Sequence, residues 1–257
     1  MKFLFSTCLI IVFFGACLCA LGQKRGAALP FKPNTLAVQR SGEIGNTAVV
    51  IDETLSVLRI KPSLFSDSIQ RMRRGRKVQI LGVAEADGVK FYKVTAPPAS
   101  YGWVQSDAVF GKFRHGDEER LARLVQASDG FDQIEIAAEF FSLYRNSKFR
   151  PSISLLYGDL LEEVAAKLSK DSTNRLSRRE MAATAAPLHS YYLNFVSLDR
   201  YRKLGIIFLF NSATKAFHYD GSSWKEIVAK FPLSPEAVEA KKRLDSLKVK
   251  MEKPGAK

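Results

Sequence analysis

Two apolar rhythms divide this chain, and the change from one to the other limits its fold more than any other feature. Up to Val104 the apolar residues come in short β-branched and aromatic runs: Ala48–Ile51, Leu55–Leu58, Lys77–Val83, Phe91–Val94 and Gly102–Val104. Turn residues separate them, among them Arg74-Gly75, Asp87-Gly88 and Pro97-Pro98. Short runs at this spacing predict a small barrel or sandwich, and roughly sixty residues suffice for five or six strands. From about Arg114 the spacing becomes three and four. Leu121, Leu124 and Val125 share one face; Ile136, Phe140, Phe141 and Tyr144 share another; Ile153, Leu156, Leu160, Leu161, Val164 and Leu168 form a third. Ser177–Glu180 and Ser223–Glu226 have the pattern of capping boxes. Ser234-Pro235-Glu236 places proline at a favoured first helical position, and Pro187 interrupts what precedes it. The run from Leu204 to Phe210 is apolar but too short to span a bilayer, and it predicts a core helix.

The first residues follow neither rhythm. Lys2 precedes an uncharged run from Phe3 to Gly22, with small residues at Ala20 and Gly22. A positive start, an apolar stretch and a small-residue end predict a secretory leader, cut after Gly22 to leave Gln23. Two other fates stay open. Phe14-Gly15-Ala16-Cys17 resembles a lipobox, which makes Cys17 a lipidation site, and the run is long enough to remain as a membrane anchor. The expected organisation is a signal peptide over 1–22, a linker over 23–46, a β-rich segment over 47–112, a helical segment over 113–250 and a disordered tail over 251–257. The strand-to-helix boundary is expected between Gly111 and Glu118.

The three cysteines, Cys8, Cys17 and Cys19, all lie in the leader. A chain cut after Gly22 keeps no thiol, so disulfides, zinc–thiolate sites and cysteine peptidase chemistry are excluded for it. The formal net charge is +13. The excess is spread along the chain and favours anionic partners. Export removes nucleic acid from these and leaves cell-wall carboxylates and anionic membrane surfaces.

The β-rich segment resembles the bacterial SH3 domain family from about Ala48 to Gly111. The residues that carry the resemblance are Leu55-Ser56-Val57-Leu58-Arg59, then Lys61-Pro62-Ser63, Arg74-Gly75-Arg76-Lys77-Val78-Gln79-Ile80-Leu81, Phe91-Tyr92-Lys93-Val94 and Gly102-Trp103-Val104 followed by Ser106. Leu58 is an addition to the family pattern, Lys61 stands where glycine is common, and Phe91 replaces the more usual tryptophan. The resemblance implies a small all-β SH3-like barrel that serves as a binding or targeting module, often for peptidoglycan or its peptides. The helical segment is similar to tetratricopeptide-like repeats through Ser223–Pro232 and Ser234–Ala240, with Ala137, Ala138, Gly158 and Ala165 as small packing residues of a second pair. Strict periodicity is absent, so a nonrepeating all-α bundle remains as open as a repeat.

Three groups of residues invite a functional reading. Tyr92, Tyr101 and Trp103 are candidate ligand-binding aromatics. Trp103 either packs in the core or lines a groove. Alternation sends Phe91 and Lys93 to one face and Tyr92 and Val94 to the other, so one aromatic faces outward unless both faces are covered. Arg71, Arg73, Arg74, Arg76 and Lys77 concentrate five cations in seven residues, a solvated turn or an anion-binding one. His115, His189 and His218 are scattered, with only Asp220 near His218, which is too few ligands for a metal. Glu118-Glu119 and Glu162-Glu163 are adjacent in sequence and point apart on a helix, unlike a paired acid and base. No nucleophile elbow, phosphate loop or zinc-protease motif is present. The expected role is an exported envelope binding or scaffold protein without catalytic residues, metal or cofactor. In it the β-rich part meets a cell-wall peptide or glycan and the helical part an envelope protein. A peptidoglycan-acting enzyme with an active site in the helices, or an assembly factor for envelope proteins, are the alternatives.

Overall fold

The computed structural model describes residues 42–96 and 100–252. The apolar leader with Cys17, linker residues 23–41, the Pro97-Pro98 turn and residues 253–257 lie outside the described residues. Seven strands come first: β1 (Thr47–Val50), β2 (Val57–Arg59), β3 (Ser68–Arg71), β4 (Lys77–Ala86), β5 (Val89–Ala96), β6 (Ser100–Gln105) and β7 (Val109–Phe110). They form one curled antiparallel half-barrel sheet in the order β3-β2-β6-β5-β4-β1-β7. Alternation sets the faces. In β4, Val78 and Ile80 are buried while Lys77 and Gln79 are exposed. Asp87 and Gly88 both take positive φ, 53° and 72°, the geometry a two-residue hairpin needs to match strand twist, and they join β4 to β5. The end of the expected linker belongs to the sheet, because Ile80 N–H donates to the Asn46 carbonyl and Gly45 N–H to the Ile80 carbonyl.

The inner face buries Ala48, Val50, Leu58, Met72, Val78, Ile80, Tyr92, Val94 and Val104. The opposite side chains of β1 and its continuation, Val49 and Ile51, join Phe110 in a second core. That core includes Leu121 and Val125 of α1 (Asp117–Ala127), Ile136 and Phe140 of α2 (Gly130–Leu143), and Ile153 of α3 (Arg150–Arg175). The Ala48–Ile51 run is unbroken because this strand is covered on both sides. Asp117 pins the junction from sheet to helix. Its buried carboxylate accepts from Gly111 N–H (3.0 Å) and Arg114 Nε (2.7 Å) and pairs with Arg120 (3.3 Å). A buried carboxylate needs such partners to offset lost hydration.

After the long α3 come α4 (Arg178–Ala183), α5 (Leu188–Leu193), α6 (Asp199–Arg202), the hairpin of β8 (Phe208–Asn211) and β9 (Ala216–Tyr219), α7 (Ser222–Lys230) and α8 (Pro235–Glu252), of which β9, α7 and α8 pack on α3. A third core joins Leu161, Ala165 and Leu168 of α3 to Tyr192, Phe217, Trp224, Ile227 and Leu247. Gly158 lets α7 approach: a Cβ there would lie 2.2 Å from Trp224 Nε1.

The expected fold class, a small all-β SH3-like barrel followed by an all-α tetratricopeptide-like or bundle domain, is corrected by this architecture. The sheet has seven strands and two open edges, β3 and β7, and it shares a core with α1–α3. The helical part is not all-α. Phe208–Phe210, the end of the run expected to be a core helix, belong instead to β8, because Phe208–Asn211 pairs in register with Ala216–Tyr219 and stacks Phe210 on Tyr192 at 4.6 Å. The Ser223–Glu226 capping box is also absent. The helix starts at Ser222, two residues before the Trp224 that a Ser223 cap implies, and Asp220 Oδ1 and the Tyr219 hydroxyl accept from its first N–H groups. At α4, Ser177 Oγ does accept from Glu180 N–H, at 3.4 Å.

Candidate functional site

Strand register separates the three candidate aromatics. Directly opposed residues of antiparallel strands share a face. Trp103 opposes Lys93 on one side and Arg59 on the other, and Tyr101 opposes Thr95. Tyr101 is 62% exposed and Trp103 partly so, while their neighbours Gly102 and Val104 are buried. The outer face of β5, β6 and β2 thus carries Lys93, Trp103 and Arg59 in a row, with Tyr101 beside them. Arg59 Nη1 donates to the Ser66 carbonyl (2.6 Å), which ties the β2–β3 loop to this side chain; Phe65 in that loop is exposed.

Tyr92 points the other way. It is 0% exposed, as is Phe91, so β5 is covered on both faces at this point. The Tyr92 hydroxyl donates to Glu43 Oε1 (2.7 Å), and Lys90 pairs with the same carboxylate (2.7 Å to Oε2). Burial pushes the Glu43 carboxyl up, but the bonds from Lys90 and Tyr92 outweigh it and hold the group below the usual carboxylate range. Burial and then Glu43 raise the Tyr92 phenol. This is a closed structural contact and Tyr92 does not belong to the outer aromatic face.

The basic turn does not stand free. Arg71 donates to the carbonyls of Glu53 and Thr54. Arg74 is 11% exposed; its Nε donates to the Ile51 carbonyl (3.0 Å) and its Nη1 pairs with Glu135 (2.7 Å) and Asp132 (3.4 Å). Asp132, Glu135 and Glu139 recur at three and four positions along α2, so the turn lies on an acidic stripe. Glu139 closes this contact beneath Gly75, where an added Cβ would lie 2.7 Å from Glu139 Oε1. Arg73 and Lys77 are exposed and Arg76 is partly buried.

A fourth cluster was not legible locally. Glu162 of α3 meets His218 Nδ1 (3.0 Å), Lys250 Nζ (2.7 Å) and Tyr219 N–H (2.9 Å). Burial raises its carboxyl, and these three contacts more than reverse that, so it stays ionised at neutral pH. The cluster ties α3, β9 and α8 together and leaves the carboxylate little capacity to take a proton. His218 faces Glu162 and not Asp220, a pairing 56 positions apart that no local pattern signals. The acidic stripe on α2 was not singled out either, although it has a local signal, the three- and four-residue spacing of Asp132, Glu135 and Glu139. The row of Lys93, Trp103 and Arg59 needed strand register, which the sequence does not print.

Among the described residues no three or more His, Cys, Asp or Glu side chains converge as a metal site requires. No helix among them is long and apolar enough to cross a membrane. Comparison of the chain with family models, with curated proteins and with solved structures finds no match.

Proposed function

We propose that this chain is an exported binding protein of the cell envelope whose outer sheet face engages an anionic cell-wall peptide or glycan. The observation that carries the reading is the row of Lys93, Trp103 and Arg59 across three adjacent strands, with Tyr101 next to it. Exposed aromatic rings give a ligand area to stack on at small entropic cost, and flanking cations favour carboxylates. A rigid sheet holds these groups in fixed register, as a recognition surface requires. The secretory pattern of Lys2–Gly22 and the net charge of +13 agree with an anionic partner outside the cytoplasm.

The test is co-sedimentation with purified sacculi, run beside a hydrolysis assay on the same material. Trp103→Ala should weaken binding by about tenfold, the loss of one stacked aromatic contact. Tyr101→Ala should weaken it less, and both variants should keep the wild-type circular dichroism spectrum. Sacculus binding that survives the double variant unchanged would sink the reading. Release of soluble fragments would replace it with an enzymatic one.

A further inference from the structure

We propose that the cleft between the α2–α3 loop and the end of α7 binds the carboxylate end of a peptide that carries an apolar side chain. The cleft has a volume of about 680 Å³ and is lined by Phe141, Arg145, Asn146, Arg150, Lys230 and Phe231. That size suits a small ligand or a peptide end. It lies on the helical side of the molecule and is independent of the sheet face.

Charge decides the ligand class. Three cations line the cleft, and one carboxylate, Glu226, sits among them. Arg150 grips it through Nε (3.0 Å) and Nη2 (2.9 Å to Oε1), and Lys230 Nζ shares Oε1 at 2.9 Å. Arg145 is exposed and pairs with no carboxylate among the described residues. Two positive charges therefore remain over the one that Glu226 balances. The contrast with the 71–77 turn is direct, since there Asp132, Glu135 and Glu139 lie under the cations. The Glu226 pair also shows the chemistry that the cleft accommodates: a planar carboxylate held by a guanidinium fork and an ammonium.

The walls select the rest of the ligand. Phe141 lies under the Arg150 guanidinium at 5.0 Å and Phe231 is half-buried at the end of α7. The floor is rigid because the loop is anchored. Tyr144 donates to the Gly111 carbonyl (3.2 Å), and buried Ser147 accepts from Phe149 N–H (3.0 Å). A ligand carboxylate placed between Arg145 and Lys230, with the Asn146 amide beside it, leaves its apolar side chain against the two rings.

The experiment is a titration of the isotope-labelled full chain, followed by backbone amide resonances. The probes are N-acetyl-alanyl-phenylalanine, the same dipeptide with its C-terminus amidated, and inorganic phosphate. The free acid should shift Arg145, Asn146 and Phe231, more strongly at low salt, and the amidated form should not. Arg145→Gln should weaken the acid by roughly fivefold, the scale of one exposed ionic contact. Arg145→Gln with Lys230→Gln should abolish saturable shifts, and Lys230→Arg should restore them in the presence of Arg145. Both side chains are exposed, Lys230 by 66%, so the spectra should remain those of a folded protein. Equal shifts from acid and amide, shifts confined to other residues, or full affinity in Arg145→Gln would each overturn the assignment. Phosphate moving these resonances while the peptide acid does not would overturn it too, in favour of a bare-anion site.

Discussion

Glu139 is the residue whose charge works against the fold. It stands half-buried under Gly75, and burial pushes its carboxyl up; Arg74 and Lys77 oppose that, while Glu135 adds to it. A carboxyl raised in the folded state contributes stability that is fully present below its unfolded value of 4.5 and is lost as pH rises through the folded value. Glu139→Gln should therefore raise the urea midpoint at neutral pH, and the gain should vanish in acid. A lower midpoint at neutral pH would show that the charge is needed by the turn above it. Glu43, Glu162 and Glu226 have the opposite sign. Their carboxyls are lowered by their cationic partners, so their contribution is present above 4.5 and is lost as pH falls through the folded values.

At the scale of elements, the turn between β3 and β4 is a clasp on α2. Arg74 bonds one carbonyl and two carboxylates from beneath the surface. Arg74→Gln should destabilise by about 2–3 kcal/mol, since Glu135 and the Ile51 carbonyl lose a partner in a partly dry site. Arg73→Gln, at an exposed position of the same turn, should stay within about 0.5 kcal/mol. Equal small effects in urea unfolding would make the turn a solvated loop. What the sequence revealed of these elements follows from their periods. The spacing of Leu121, Leu124 and Val125 is carried by α1, and the alternation of Val78 and Ile80 by β4. Strand β3 was missed because Ser68-Ile69-Gln70-Arg71 is an edge strand with no buried residue to mark its period. Strand β8 was missed because an unbroken apolar run has no period to tell strand from helix. The site was legible only as residue types: Trp103 and Tyr101 were named, but their separation from Tyr92 follows from register, and the Arg145 cleft from the meeting of two distant segments.

At the scale of the whole described chain, the sheet and helices share what neither owns. Val49, Ile51 and Phe110 are buried against Leu121, Val125, Phe140 and Ile153, and the described residues form one compact unit. Chemical unfolding should therefore give coincident transitions by tryptophan fluorescence and far-ultraviolet circular dichroism. Residues 113–257 expressed alone should bind a hydrophobic dye and lose cooperative unfolding. Two separated transitions would show that the shared core is too weak to couple the parts. The place of β1 in the sheet bears on timing as well. It lies between β4 and β7, and its outward residues wait for α1, α2 and α3. A chain made from its N-terminus thus produces this strand first and completes its surroundings last, after Phe110 and then Ile153 have arrived. Such distant pairing is slow to close. The outward side of the Ala48–Ile51 run therefore stays uncovered until Ile153 has been made, and a chain halted before that point carries a bare apolar strand.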